Sequence, residues 1–218
     1  MAPGLLFVYT DVGAGPVTEE DYHDWYDHEH GPARLTVPGL LGASRYQALD
    51  DLTPRWLALY QLSGPGVPDS PEYKAVLEGG SDRDKFIMSH LATLDRRIYE
   101  QISEDGPGGD GPAPVILAVA NWVAPETVDE MTAWYEQEHI PMLLAVPGWR
   151  RIRRYRLVVP APSGGSGAGF LSLSELAGPS ALEEPGYRAA VSTPWRDRMV
   201  SGALRRERRV LGFRNTFS

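Results

Sequence analysis

WYDHEHGPARLTVPG fills residues 25–39, and WYEQEHIPMLLAVPG fills residues 134–148. The two strings lie 109 residues apart and keep Trp, Tyr, Glu, His and Pro at the same spacing. Roughly half the positions from Trp25 to Tyr46 match those from Trp134 to Tyr155, far above chance for unrelated segments. Weaker echoes follow the same order. WLALYQL (56–62) parallels FLSLSEL (170–176), SPEYKA (70–75) parallels EPGYRA (184–189), and DRDKF (82–86) parallels WRDRM (195–199). A period this long marks a duplicated domain rather than a solenoid. The linker SEDGPGGDGPAP (103–114) is rich in Gly and Pro. Repeats are placed at 1–103 and 113–218, with 104–112 between them.

Each copy reads in one order. LLFVYTD (5–11) and VILAVANW (115–122) are short apolar runs rich in Val and aromatics, so strands. Thr18 and Thr127 follow as N-caps, each with an acidic residue three positions on. Glu130 suits that reciprocal role better than Asp21, so the second capping box is expected to be the better one. The helix then runs to His30 or His139. Gly31-Pro32 and Ile140-Pro141 should stop it, because a residue before Pro leaves the α region. Strands follow at about 41–49 and 149–159, then at 56–62 and 170–176. Helices follow at about 71–77 and 83–94, and at about 179–190 and 195–203. Closing strands are RRIYEQI (96–102) and RRERRVLGF (205–213). PAPSGGSGAG (160–169) reads as a flexible hairpin loop. The order βαββαβ is the ferredoxin-like pattern, so the fold class is α+β.

Composition narrows the function. The chain has 218 residues, no Cys and a formal charge of −8. There is no disulfide framework, thiolate metal site or Cys nucleophile. The charge argues against a nucleic-acid surface. No apolar run reaches the length of a membrane span, and the N-terminus lacks the basic start of a signal peptide. A cytoplasmic location is therefore expected. Residues 1–109 carry a net −10 and residues 110–218 a net +2. Halves of unlike charge could pack together more easily than two copies of the acidic half.

The Trp-Tyr…Glu-His-x-Pro…Val-Pro-Gly…Arg-Tyr string resembles the EthD-like branch of the dimeric α+β barrel superfamily. Members usually have one ferredoxin-like unit and pair two of them sheet to sheet. Here the resemblance spans nearly the whole chain as two fused units, which implies a barrel built within one chain; further pairing into a homodimer is left open. The resemblance also implies a small hydrophobic ligand held between sheet and helices. It implies chemistry without metal or nucleotide: cyclisation, isomerisation, decarboxylation, dehydration or oxygenation of aromatic or polyketide compounds. In several members a His at this kind of position moves a proton.

On a helical wheel Tyr22, Trp25, Tyr26, Glu29 and His30 share one face, as do Met131, Trp134, Tyr135, Glu138 and His139. The aromatics should pack inward and draw Glu and His with them. Buried ionisable groups cost free energy unless paired, so the string is an anomaly. Tyr26 can touch His30, and Tyr135 can touch His139, being four apart. A His at a helix C-terminus, beside a phenol and near a carboxylate, could act as general acid or base. The candidate catalytic residues are therefore His30, His139, Tyr26, Tyr135, Glu29 and Glu138. Trp25, Trp134, Tyr22, Arg45 and Arg154 are candidates for contact with substrate. A structural reading stands beside this one. The His could cap the last carbonyls, and the Glu could bind backbone N–H groups. The flanks differ, with Gly31, Ala33 and Arg34 against Ile140, Met142 and Leu143, so one copy could be site and the other scaffold.

Other features carry less. DHEH (27–30) lacks the spacing of a zinc helix, and adjacent helical ligands point apart, so no metal is expected. His23 and His90 read as surface or satisfied core. WRRIRRYR (149–156) should alternate, with Trp149, Arg151, Arg153 and Tyr155 on one face. Most of its arginines are read as solvated or as paired with the acidic first half, while Arg45 and Arg154, which recur in both copies, read first as structural. GAGPVT (13–18) lacks the residues of a phosphate loop, and no cofactor is expected. A plain binding protein with the same pocket, and a haem-dependent or cofactor-free monooxygenase, are the competing readings.

Overall fold

The computed structural model describes residues 2–159 and 167–217. Most of the expected hairpin loop, residues 160–166, lies outside the described residues. The chain divides into two compact units, Met1–Glu100 with Arg214–Ser218, and Gln101–Phe213.

In the first unit the elements are β1 (Gly4–Val12), α1 (Glu19–Trp25), a π-helical turn (Tyr26–His30), α2 (Gly31–Leu35), β2 (Leu40–Ala48), β3 (Trp56–Leu62), α3 (Pro71–Glu78), α4 (Asp82–Ser89) and β4 (Leu91–Asp105). The second unit repeats them as β5 (Val115–Val123), α5 (Val128–Trp134), a π turn (Tyr135–His139), α6 (Ile140–Leu144), β6 (Trp149–Val159), β7 (Ala168–Leu176), α7 (Pro185–Ala190), α8 (Pro194–Ser201) and β8 (Arg205–Phe217). Strand order is β2-β3-β1-β4 in the first sheet and β6-β7-β5-β8 in the second, with every described pairing antiparallel. This is the ferredoxin-like arrangement in both copies. β4 runs to Asp105, so the stretch expected to link the repeats begins inside a strand.

Each sheet buries one face under its helices. Tyr22, Trp25 and Tyr26 pack onto Leu6, Val8, Ala58 and Tyr60, and Trp134 and Tyr135 join Leu117, Ile152 and Val210 in the second core. Val-Pro-Gly turns each helix into the next strand through Gly39 (φ 90°) and Gly148 (φ 85°). This left-handed region suits Gly because it has no Cβ.

Three details correct the sequence reading. The helix does not end before Pro32 or Pro141. Gly31 stays helical (φ −63°, ψ −54°), and its N–H donates to the Tyr26 carbonyl five residues back. The π turn lets the prolines enter the first turn of a new helical segment, where a missing N–H costs little. The capping box forms in the first copy, where Thr18 Oγ1 accepts from the Asp21 N–H (3.1 Å) and Asp21 Oδ2 accepts from the Thr18 N–H (3.2 Å). In the second, Thr127 is held in a 3-10 turn at Pro125–Thr127, and its hydroxyl donates back to the Ala124 carbonyl instead (2.8 Å). The third correction concerns β6. A bulge between Trp149 and Arg151 moves Trp149 to the Ile152 face and into the core. A bulge adds one residue and so inverts the alternation beyond it. Arg151 meets Glu104 of the acidic first half, as expected (3.2 Å), and also Glu175 (2.9 Å), while Arg153 meets Glu175 of its own half (2.5 Å).

Candidate active site

His30 is buried at the end of the first π turn, between the rings of Trp25 (centroids 4.4 Å apart) and Tyr26 (5.0 Å). Its Nδ1 lies 2.9 Å from Oδ1 of Asp84, on the first turn of α4. Asp84 is fixed from two more sides. Trp25 Nε1–H donates to Oδ1 (3.1 Å), and the Asp84 backbone N–H donates to Oγ of the N-cap Ser81 (3.0 Å). Gly80 makes room, since a Cβ there would sit 2.5 Å from Oδ2.

The hydrogen bond from His30 is the largest cause holding the Asp84 carboxyl below its usual range, so it is ionised. An ionised carboxylate only accepts, so Nδ1 carries the proton and Nε2 the lone pair. Burial is the main cause lowering the His30 pKa; the Asp84 hydrogen bond opposes it, and the Arg34 and Arg96 charges add to it. The ring is therefore a neutral base at neutral pH.

His30 borders two spaces. A cavity of about 30 Å³ lies inward, lined by Leu6, Val8, Tyr26, Tyr60 and Arg96 among others. That is room for about two waters. An open groove of about 480 Å³ lies outward, between α2 and the α3–α4 segment, walled by Ala33, Thr36, Val76 and Gly79. Arg34 lines both. It is 5 % exposed, and among the described residues no carboxylate pairs with it.

The other expected residues each sit within their own unit. Glu29 does not reach His30; it accepts a hydrogen bond from Ser81 Oγ. Glu138 accepts in the same way from Thr193 Oγ1 (2.6 Å), and from Trp134 Nε1 (3.1 Å). In both copies the Glu ties the π turn to the N-cap hydroxyl of a later helix. That explains the glutamate of the repeated string as a clamp. Tyr26 OH bonds Tyr60 OH (2.7 Å), and burial pushes the Tyr26 phenol far above its usual range. Tyr22 OH bonds Thr10 Oγ1 (2.6 Å). Arg45 is buried over the Tyr26 ring (4.2 Å) and binds Asp27 Oδ1 (2.5 Å) and His23 Nδ1 (2.9 Å). Arg154 repeats the contact over Tyr135 (4.3 Å), but its Nη2 has no partner among the described residues.

The copies diverge at the histidine. Matching the caps aligns Ser81 with Thr193, so Asp84 corresponds to Arg196. The sequence parallel of DRDKF with WRDRM is thus one residue out of step, because Pro194 follows the cap directly. His139 faces an arginine where His30 faces a carboxylate. It stacks on Trp134 (4.3 Å, 23°), and its buried Nδ1 is unpaired. Burial first, then the Arg196 and Arg206 charges, push it down to about 4, against an opposing hydrogen bond to the Ala190 backbone.

This has a consequence for stability. The unfolded chain protonates His139 near 6.5 while the folded chain resists until about 4. Below 6.5 the unfolded state binds more protons, so this residue's contribution is present above 6.5 and is lost as pH falls toward 4. The expected loss is on the order of 3 kcal/mol. Urea midpoints measured from pH 7 to 4 should fall more steeply for the native protein than for His139→Gln; parallel curves would refute it.

No protein-family profile and no curated protein matches the chain. Solved structures do. An anthrone oxidase-like protein is 16% identical with TM-score 0.69, over 100% of this chain and 93% of that one. A chlorite dismutase variant from Candidatus Nitrospira defluvii is 11% identical with TM-score 0.62, over 98% and 92%. A ferredoxin-fold protein related to antibiotic biosynthesis monooxygenases, from Listeria monocytogenes, is 12% identical with TM-score 0.52, over 99% and 96%. At these identities the likeness is one of fold. The fold class is α+β with two ferredoxin-like repeats, of the dimeric α+β barrel type.

The sequence had marked His30 but not Asp84, which lies 54 positions away. The available signal was a cap pattern, Ser81-x-x-Asp84, whose acidic N3 residue is replaced by Arg196 in the other copy. Among the described residues no helix is long and apolar enough to cross a membrane.

Proposed function

We propose that this chain is a cofactor-independent enzyme of the EthD-like branch, acting on a small, largely apolar, oxygenated compound of the aromatic or polyketide kind. The observation that carries the reading is the His30–Asp84 pair set between a cavity and an open groove. Nε2 of the neutral ring takes a proton from a carbon activated by a carbonyl. The electron pair of the broken C–H bond moves to the carbonyl oxygen, and the Arg34 guanidinium stabilises the oxyanion. Asp84 stabilises the imidazolium that forms. Isomerisation, cyclisation and dehydration can start from that oxyanion, and decarboxylation runs through one. Tyr26 and Trp25 hold the ring, and the substrate, seated in the open groove, is held by Arg34. A cytoplasmic role in secondary metabolism is part of this reading.

One neighbour favours a specific variant, the cofactor-free monooxygenase. That neighbour is an anthrone oxidase-like protein. Anthrone carries an acidic ring methylene conjugated with its ketone. Loss of one proton gives an oxyanion that dioxygen oxidises, and anthrone plus O₂ yields anthraquinone plus water. The inward cavity at His30 is too small for a porphyrin.

Anthrone turnover, followed by oxygen uptake and quinone absorbance, tests the proposal. The acid limb of kcat/KM should lie below 6.5, since His30 is a base with a lowered pKa. Absence of turnover across a panel of anthrones and β-dicarbonyl phenols, with tight binding that survives His30→Gln, would instead make the protein a binding module.

A further inference from the structure

We propose that the cavity of the second unit is a receptor for the carboxylate of a small organic anion. This cavity, about 30 Å³, is lined by Arg196, Arg206, Arg208, Asn121, Ser172 and Ser174, with His139 at its side. None of the residues lining it is acidic. The arginines come from two elements that the fold brings together. Arg206 and Arg208 are two apart on β8 and project to the same face, opposite Asn121 and Val119 of β5. Arg196 enters from the first turn of α8.

Their partners are few. Arg208 Nη2 donates to the neutral Tyr187 hydroxyl (3.2 Å). Arg196 Nη1 meets Asp197 Oδ1 (3.0 Å), an exposed carboxylate outside the cavity. Arg206, exposed to solvent at the edge of the cavity, makes no hydrogen bond or ion pair among the described residues. Three guanidinium groups lining a cavity that holds no acid repel one another, and an oxyanion between them would relieve that repulsion.

Comparison with the first unit shows that the charge is specific to this copy. By strand register Arg206 takes the place of Leu94, Ser174 that of Tyr60, Ser172 that of Ala58, and Asn121 that of Thr10. By cap position Arg196 replaces Asp84. Only Arg208 has a counterpart, Arg96, which binds Tyr73 OH in the same way (2.7 Å). A framework needed for folding would have been kept alike in both copies. A carboxylate fits better than an inorganic ion. Room for about two waters suits the two oxygens of a carboxylate, and the attached hydrocarbon would extend outward past the exposed Arg206. The planar guanidinium fork matches a carboxylate bidentately. The site involves none of the residues that carry the His30 reading.

Calorimetric titration of the full chain at low salt, with benzoate and separately with inorganic phosphate, tests this. Benzoate should bind saturably with one site per chain. Arg206→Met should weaken it at least tenfold and Arg206→Lys by less, with melting temperatures of both variants near that of the native protein. Asp84→Asn should leave benzoate binding unchanged, which separates this site from the first. Lack of saturable benzoate binding, equal binding by Arg206→Met, or saturation by phosphate alone would each overturn the proposal.

Discussion

His30→Gln should lower kcat for anthrone by about 10²- to 10⁴-fold while leaving KM within about threefold, the loss typical of a general base. Glutamine fills similar space and can still donate toward Asp84, so the fold should survive. Only the lone pair on Nε2 disappears. Asp84→Asn should cost less, about 10- to 100-fold, because an amide oxygen can still accept from Nδ1 but carries no charge to stabilise imidazolium. Asp84 opposes the burial that lowers the His30 pKa. Its neutralisation should therefore move the acid limb of the pH profile further down. His139→Gln should leave turnover as it is, since that ring faces Arg196 and has no carboxylate to stabilise its charge. Steady-state rates of the three variants settle the matter. Loss of activity in His139→Gln with retention in His30→Gln would place the chemistry in the other unit and refute the assignment.

Trp25→Ala should be the most damaging single change for stability, at about 3–5 kcal/mol. Trp25 is fully buried, with Tyr22 (5.9 Å), Tyr26 (5.4 Å) and His30 (4.4 Å) around its ring. Removal opens a large cavity under α1 and also leaves Asp84 without its indole donor. For a chain of this size the melting temperature should fall by roughly 10 °C. Trp25→Phe keeps most of the packing and loses mainly the hydrogen bond to Asp84, about 1–2 kcal/mol. Guanidinium unfolding of both variants gives the two numbers. A Trp25→Ala loss below about 1 kcal/mol would mean that the site can collapse around the gap, contrary to this reading.

Much of the fold was legible because its signals are local. Strands of alternating or continuous apolar residues, Val-Pro-Gly turns and the repeat itself all sit within short windows, and the ferredoxin-like order followed from them. The bulge at Trp149 was not legible, since nothing in WRRIRRYR distinguishes a regular strand from one with an extra residue. The site was half legible. His30 stood out as an ionisable group on an aromatic face, but its partner is a matter of tertiary contact. Asp84 looks in sequence like any acidic residue in the first turn of a helix. Glu29 was misleading for the opposite reason. Its place on the same wheel face as His30 suggested a role in orienting the ring, whereas the two side chains have different neighbours, Ser81 and Asp84. Arg34 appeared only as a difference between the copies, yet it lies at the junction of both spaces.

The π turns at Tyr26–His30 and Tyr135–His139 also bear on ancestry. Such a turn spends one residue more than an α turn between hydrogen-bonded partners. Both copies carry it at the same five positions, so the extra residue was already in place when the unit was doubled. The aromatic-to-histidine spacing is therefore older than the difference between carboxylate and arginine that now distinguishes the halves. Deleting one residue between Tyr26 and His30 would return that helix to the simpler period, and would swing every later side chain on α2 by about 100° around the axis.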